Sequence, residues 1–105
     1  MHKNNNDASG NYGIYQIIVE GKVFKIGKAD LDRITKISGD PTRIHQQVTK
    51  LRKKYMKNNV FHIILEELFG YTTQQAKEVE RTILRFVIAQ QGGIIPEGNQ
   101  KSFKL

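Results

Sequence analysis

An α/β domain with the element order β-β-α-α-β-α is what this chain predicts, on three observations. A strand-like run from Gly13 to Gly27 is broken once, at Glu20-Gly21-Lys22. Two later stretches, Ile44 to Tyr55 and Ala76 to Val87, carry apolar residues at helical spacing. Between them stands Val60 to Leu65, a short run of residues suited to a pleated surface.

Met1 to Asn11 is polar and without an apolar period, and reads as a flexible leader over residues 1–11 ahead of one domain over 12–105. Ile14, Tyr15, Ile17, Ile18 and Val19, then Val23, Phe24 and Ile26, make a β-hairpin. The length of its turn bears on chemistry. Strand side chains alternate, so a three-residue loop puts Tyr15 and Lys25 on one face of the sheet and a two-residue loop puts them on opposite faces. The turn residues allow either. Asp30 can cap a short helix with Leu31, Ile34 and Ile37 spaced by three, stopped at Gly39. Asp40-Pro41 opens a second helix, since proline suits the first helical position. Ile44, Val48, Leu51 and Tyr55 stripe its inner side. After the third strand, Thr72 and Gln75 form a capping box for a last helix that runs to about Ala89 and ends at Gly92-Gly93.

The length, 105 residues, suits one domain with a single core, and 38% of the chain is aliphatic or aromatic. No run approaches the roughly 20 apolar residues of a membrane span. The absence of cysteine excludes disulfides, thiolate metal sites and a cysteine nucleophile. Seventeen Lys and Arg against ten Asp and Glu give a net charge of +7, which favours a polyanionic partner, nucleic acid above all.

Glu80 is the leading candidate for chemistry. At about 100° per residue, Ala76, Val79, Ile83, Leu84, Phe86 and Val87 share one arc, and Glu80 falls inside it while Glu78 points away. A carboxylate on a core-facing stripe must find a partner, which is either a hard metal ion or a basic side chain. Lys25, between Phe24 and Ile26, is a charge aimed into the fold or an edge-strand gatekeeper. Tyr15 has an ordinary packing explanation in a strand, Arg33 a solvated one and Asn99 a turn one. His45, beside the stripe of the second helix, is a surface residue or an acid–base group near neutral pH.

Taken together these residues resemble the GIY-YIG nuclease family over nearly the whole chain. Gly13-Ile14-Tyr15 is followed, ten residues after its tyrosine, by Lys25-Ile26-Gly27, a KIG form of the second tripeptide. By position the family's tyrosine pair, arginine, glutamate and asparagine fall on Tyr15, Lys25, Arg33, Glu80 and Asn99. Arg33 stands closer to Gly27 than the family pattern, which makes Arg43 its rival. The run Ala76 to Glu80 matches the family's alanine four residues before its metal-binding glutamate. The strings Gly27 to Ile34, Pro41 to Gln47 and Pro96 to Phe103 are similar to toxin modules of bacterial polymorphic toxins, of the Rhs and contact-dependent inhibition kind.

The resemblance implies a small, mainly antiparallel three-stranded sheet flanked by helices. It implies hydrolysis of phosphodiesters with one divalent ion, Mg²⁺ or Mn²⁺, held by Glu80; DNA is the expected substrate ahead of RNA, with either open. Tyr15, its phenol acidified by nearby positive charge, handles the attacking water. Lys25 and Arg33 stabilise the transition state, His45 relays a proton or contacts phosphate, and Asn99 shapes the site. Lys28, Arg43, Lys50, Arg52, Lys53, Lys54 and Lys57 are the expected backbone contacts. The toxin branch implies delivery to a target cytoplasm as part of a secreted protein, and an acidic immunity protein as partner. The rival expectations are a non-catalytic basic nucleic-acid-binding module and a restriction or repair nuclease.

Overall fold

The computed structural model describes residues 8–102; most of the expected leader, residues 1–7, lies outside them, as do residues 103–105. Strands β1 (Ser9–Val19), β2 (Lys22–Asp30) and β3 (Val60–Thr72) form one antiparallel sheet in the order β2-β1-β3. Helices α1 (Thr42–Lys54) and α2 (Thr73–Gln90) pack on its two faces. The class and the antiparallel three-stranded sheet match expectation, with two helices instead of three. Ser9 to Asn11, assigned to the leader from sequence, already belong to β1. Among the described residues no helix is long and apolar enough to cross a membrane.

Alternation along β1 builds both halves of the core. Tyr12 and Ile14 join Ile26, Leu68, Ala76, Leu84 and Ile88 under α2. Tyr15, Ile17 and Val19 join Ala29, Ile44, Val48 and Val60 under α1. Ile14, Ile17, Ile26 and Ile44 are fully buried, and each contributes about 1.5–3 kcal/mol.

The hairpin reaches the face expected for a shared site by an unexpected route. Its turn has two residues, Glu20 and Gly21, both at positive φ (52° and 78°), with Val19 paired to Lys22. That turn alone would set Tyr15 and Lys25 on opposite faces. Ile18 pairs with Val23 but Ile17 pairs with Lys25, so Phe24 is an extra, unpaired residue. This β-bulge shifts the register by one, and Lys25 returns to the face of Ile17 and Tyr15.

No helix forms over Leu31 to Ile37, which corrects the sequence reading. The Asp30 carboxylate accepts a hydrogen bond from the Asp32 N–H (2.9 Å), an alternative to helix that aspartate readily offers. Thr35 N–H then donates to the Asp40 carbonyl, and Thr42 N–H to that of Arg33. β-branched Ile34, Thr35 and Ile37 add little helical preference. Ile34 and Ile37 are 57% and 83% exposed, so their spacing marks no buried stripe. Arg33 therefore sits in a loop. The third strand runs seven residues past its expected end, through bulges at Leu65 and Gly70.

Helix α2 opens with the expected capping box: Gln75 N–H donates to Thr72 Oγ1 (3.1 Å), and Thr72 N–H to Gln75 Oε1 (2.9 Å). Its inner face is rotated from the expected arc. Thr73, Ala76, Leu84 and Ile88 are buried, whereas Phe86 is 63% exposed. Phe86 lies about 200° around the helix from both Leu84 and Ile88, and hydrophobicity alone had put it inside.

Asn99, expected in a turn, does sit in a short 3₁₀ turn, Glu97–Asn99, and there it closes the open edge of β2. Its Oδ1 accepts from Ile26 N–H (2.9 Å) and its Nδ2 donates to the Ile26 carbonyl (2.8 Å). One side chain thus imitates a neighbouring strand. Gly98 permits the approach, since a β-carbon there would lie 3.0 Å from the Phe24 carbonyl and 2.9 Å from the Lys25 side chain. Asn99→Ala strands two buried backbone groups, at about 1–3 kcal/mol each. Urea unfolding should show a loss of about 2–4 kcal/mol, and Asn99→Leu, which restores bulk but no hydrogen bonds, should not recover it.

Candidate active site

The register shift in the hairpin helps gather four of the six predicted catalytic residues, Tyr15, Lys25, Glu80 and Asn99, around one cavity. It has a volume of about 390 Å³, and Tyr15, Lys25, Lys28, Arg43, Glu80 and Asn99 line it with Gly27, Lys77 and Arg81. Gly27 faces Tyr15 across the β1–β2 ladder. A β-carbon at Gly27 would overlap the phenol ring, so only glycine lets that ring lie over β2 toward the cavity. The glycine of the KIG tripeptide therefore has a steric reason.

Among the described residues five cations and one carboxylate line the cavity. Burial pushes the Glu80 carboxyl above the usual range, and Lys28, Arg43, Lys25 and Lys77 oppose that rise without cancelling it. Among the described residues Glu80 nevertheless has no hydrogen bond and no ion pair within 4.0 Å. The direct salt bridge, the ordinary explanation of a carboxylate on this face, is not formed among the described residues, although Lys28, Arg43, Lys25 and Lys77 act on the carboxylate through space. Glu78 is exposed, and its carboxylate accepts a hydrogen bond from Gln74 Nε2 (3.4 Å). Lys25 and Lys28 are both held below the usual lysine range, chiefly by burial, with Arg43 adding to the effect.

Tyr15 departs from expectation in one respect. Its phenol is not acidified but pushed up to about 12, because burial outweighs the attraction of Arg43 and Glu80 adds to the rise. The hydroxyl donates to Gln47 Oε1 at 2.6 Å and is held as a neutral donor.

Of the two candidate arginines, Arg43 lines this cavity. Arg33 is exposed and lines an adjacent one. His45 lines neither: its Nδ1 meets Ser38 Oγ (2.9 Å) and its Nε2 meets Thr49 Oγ1 (3.5 Å). Lys50, Lys53, Lys54 and Lys57 are exposed at the far end of α1 and just beyond it. Arg52 is tied to the fold, its guanidinium donating to the Val60 carbonyl at 3.3 and 3.0 Å. Arg52, Lys53 and Lys54 also occupy the last turn of α1, where cations complement the helix dipole whatever they bind.

Lys77, Arg81 and Gln47 were missed from sequence. Helical phase held a signal for the first two, since both flank Glu80 and Leu84 on the edge of the buried face of α2. Gln47 is the +4 neighbour of Arg43 on α1, which places it over the same part of the sheet.

A lone carboxylate with space beside it fits a divalent ion of the Mg²⁺ or Mn²⁺ kind, which takes one or two carboxylates and completes its shell with water and phosphate oxygens. Glu80 would hold it. Asn99 would not, because both ends of its amide are committed to Ile26.

The raised Glu80 pKa has a consequence for stability. The folded state holds that proton more tightly than the unfolded chain does, so stability falls as pH rises from the ordinary glutamate value through the raised one. Glu80→Gln should remove this slope and gain about 0.5–2 kcal/mol at neutral pH. Denaturant midpoints between pH 4 and pH 8 measure it, with Glu78→Gln, which leaves Glu80 in place, expected to keep the wild-type slope. No family model, curated protein or solved structure matches the chain.

Proposed function

We propose that the chain is a metal-dependent endonuclease of the GIY-YIG kind, hydrolysing phosphodiester bonds in nucleic acid, with DNA as the favoured substrate. The observation that supports this most is the Glu80 carboxylate, partly buried and without a direct ion pair among the described residues, in a cavity otherwise lined with cations and the Tyr15 hydroxyl. A site of that charge suits a phosphate diester, whose negative charge the cations take up. A divalent ion beside Glu80 would polarise the phosphate and balance charge on the leaving oxygen.

The protein groups divide the remaining work. Lys25, Lys28 and Arg43 face the phosphate and stabilise the charge that builds on its oxygens. The neutral Tyr15 hydroxyl, its proton directed to Gln47, keeps its lone pairs for a hydrogen bond from the attacking water. It orients that water and does not act as its resting base. The water oxygen forms the new P–O bond, one P–O bond to a sugar oxygen breaks, and solvent accepts the proton of the water and returns one to the leaving oxygen. Arg43 replaces Arg33 as the arginine of the chemistry. Role as the toxin module of a polymorphic toxin, acting in a target cytoplasm and restrained by an acidic immunity protein, belongs to the same proposal and rests on resemblance.

Incubation of plasmid DNA and total RNA with the purified protein, in Mg²⁺ or in EDTA, tests it. Cleavage should occur only with the divalent ion. Tyr15→Phe should keep its fold and lose about 10²-fold or more in turnover. Glu80→Ala should be inactive and Glu78→Ala nearly normal. Binding without turnover in Mg²⁺, Mn²⁺ and Ca²⁺ returns the chain to a binding module, and cleavage confined to one sequence points to a restriction or repair enzyme.

Binding should also weaken steeply with salt. Charge reversal at Lys50, Lys53 and Lys54 should flatten the slope of log affinity against log salt while the products stay the same. An unchanged slope moves the binding surface off α1.

A further inference from the structure

The adjacent cavity, of about 640 Å³, shares Lys28, Arg43 and Lys77 with the first. Three common side chains make the two cavities basins of one groove, divided by a cationic ridge. The second basin has a built floor. Tyr12 is buried, its hydroxyl bonds Thr73 Oγ1 (2.9 Å), and the Lys28 ammonium stands 4.8 Å over its ring. Its wall is made of Arg33 and of Gln46 on α1, whose side chains have no partner among the described residues. Asp30 is the one acid among the described residues of its lining.

We propose that this second basin seats the phosphate next to the one being cleaved, so that the protein grips two consecutive phosphates of a polynucleotide and Arg33 is the ligand of the second. The inference rests on the nuclease reading for the identity of the first basin, and adds a site which that reading does not assign. Charge and size agree with it. The ridge residues Lys28, Arg43 and Lys77 face both basins, so a strand seated in one meets favourable potential into the other. The volume lies within the range of small-ligand sites, roughly 300–1,000 Å³, and exceeds that of the first basin. The wall carries donors suited to phosphate and sugar oxygens, which position a strand without reading its sequence. The occupant is a phosphodiester chain and not a free mononucleotide, because the gain comes from tying two weakly held phosphates together.

Two probes separate the basins without any cleavage: the thymidine dinucleotide with one phosphate and the trinucleotide with two. Both are titrated in EDTA and followed by amide NMR shifts. The wild-type protein should bind the trinucleotide at least about tenfold more tightly than the dinucleotide. Arg33→Ala should leave dinucleotide affinity unchanged and bring the ratio to about twofold. Lys22→Ala, which removes an equal charge from the exposed first residue of β2, should keep the wild-type ratio. The trinucleotide alone should shift the amides of Thr42 and Gln46. The proposal is overturned if Arg33→Ala weakens both probes equally, if it weakens neither, or if Lys22→Ala narrows the ratio as much. Failure of the nuclease reading shows elsewhere, as absence of cleavage in Mg²⁺, and leaves this ratio to be read by itself.

Discussion

One unpaired residue in the first hairpin, Phe24, decides which face of the sheet carries Lys25, and the cavity depends on that choice. A two-residue turn at Glu20-Gly21 and an alternating strand would send the lysine to the side of Ile14 and α2. The bulge cancels the parity of the turn. A tight turn with both residues at positive φ follows the right-handed twist of the strands, and the bulge lets the hairpin keep that turn while aiming a charge where a regular ladder could not. The structure holds this irregularity in place from outside. Gly98 packs against the bulge and Asn99 bonds the backbone of Ile26, two residues further along β2.

Around that register the electrostatics are arranged in opposition. A carboxylate and a phenol are both partly withdrawn from water, which disfavours their charged forms, while a ring of basic side chains favours them. Burial wins at both groups. The cations are themselves costly, since Lys25 and Lys28 are half-buried and close to Arg43. A set of like charges held together with a single acid is a poor device for stability, and an anion entering the groove relieves it. The protein thus carries a strain in charge that a bound anion would relieve.

Much of this was legible in the sequence. The hairpin, the stripe of α1 and the Thr72–Gln75 box follow from local patterns that the structure repeats, and helical phase alone separated Glu80 from Glu78. The segment Leu31 to Ile37 misled because three-residue spacing looks helical in text, whereas the Asp30 side chain and β-branched neighbours favour turns. Phe86 misled because hydrophobicity does not say which edge of a stripe the sheet will cover. The bulge at Phe24 was not legible, since no residue type marks an unpaired position. The Asn99 clamp was invisible for another reason: its partner, Ile26, lies 73 residues away.

That separation has a kinetic meaning. A chain emerging from the ribosome can close its β1–β2 hairpin as soon as Asp30 is made, but the outer edge of β2 stays open until some seventy further residues have been added. During that interval the backbone of Ile26 offers an unpaired edge, the kind of surface that invites wrong partners. The wall that Asn99 gives the cavity arrives last, so a partly synthesised chain holds the sheet without the completed groove. Assembly of the site is thereby tied to completion of the fold.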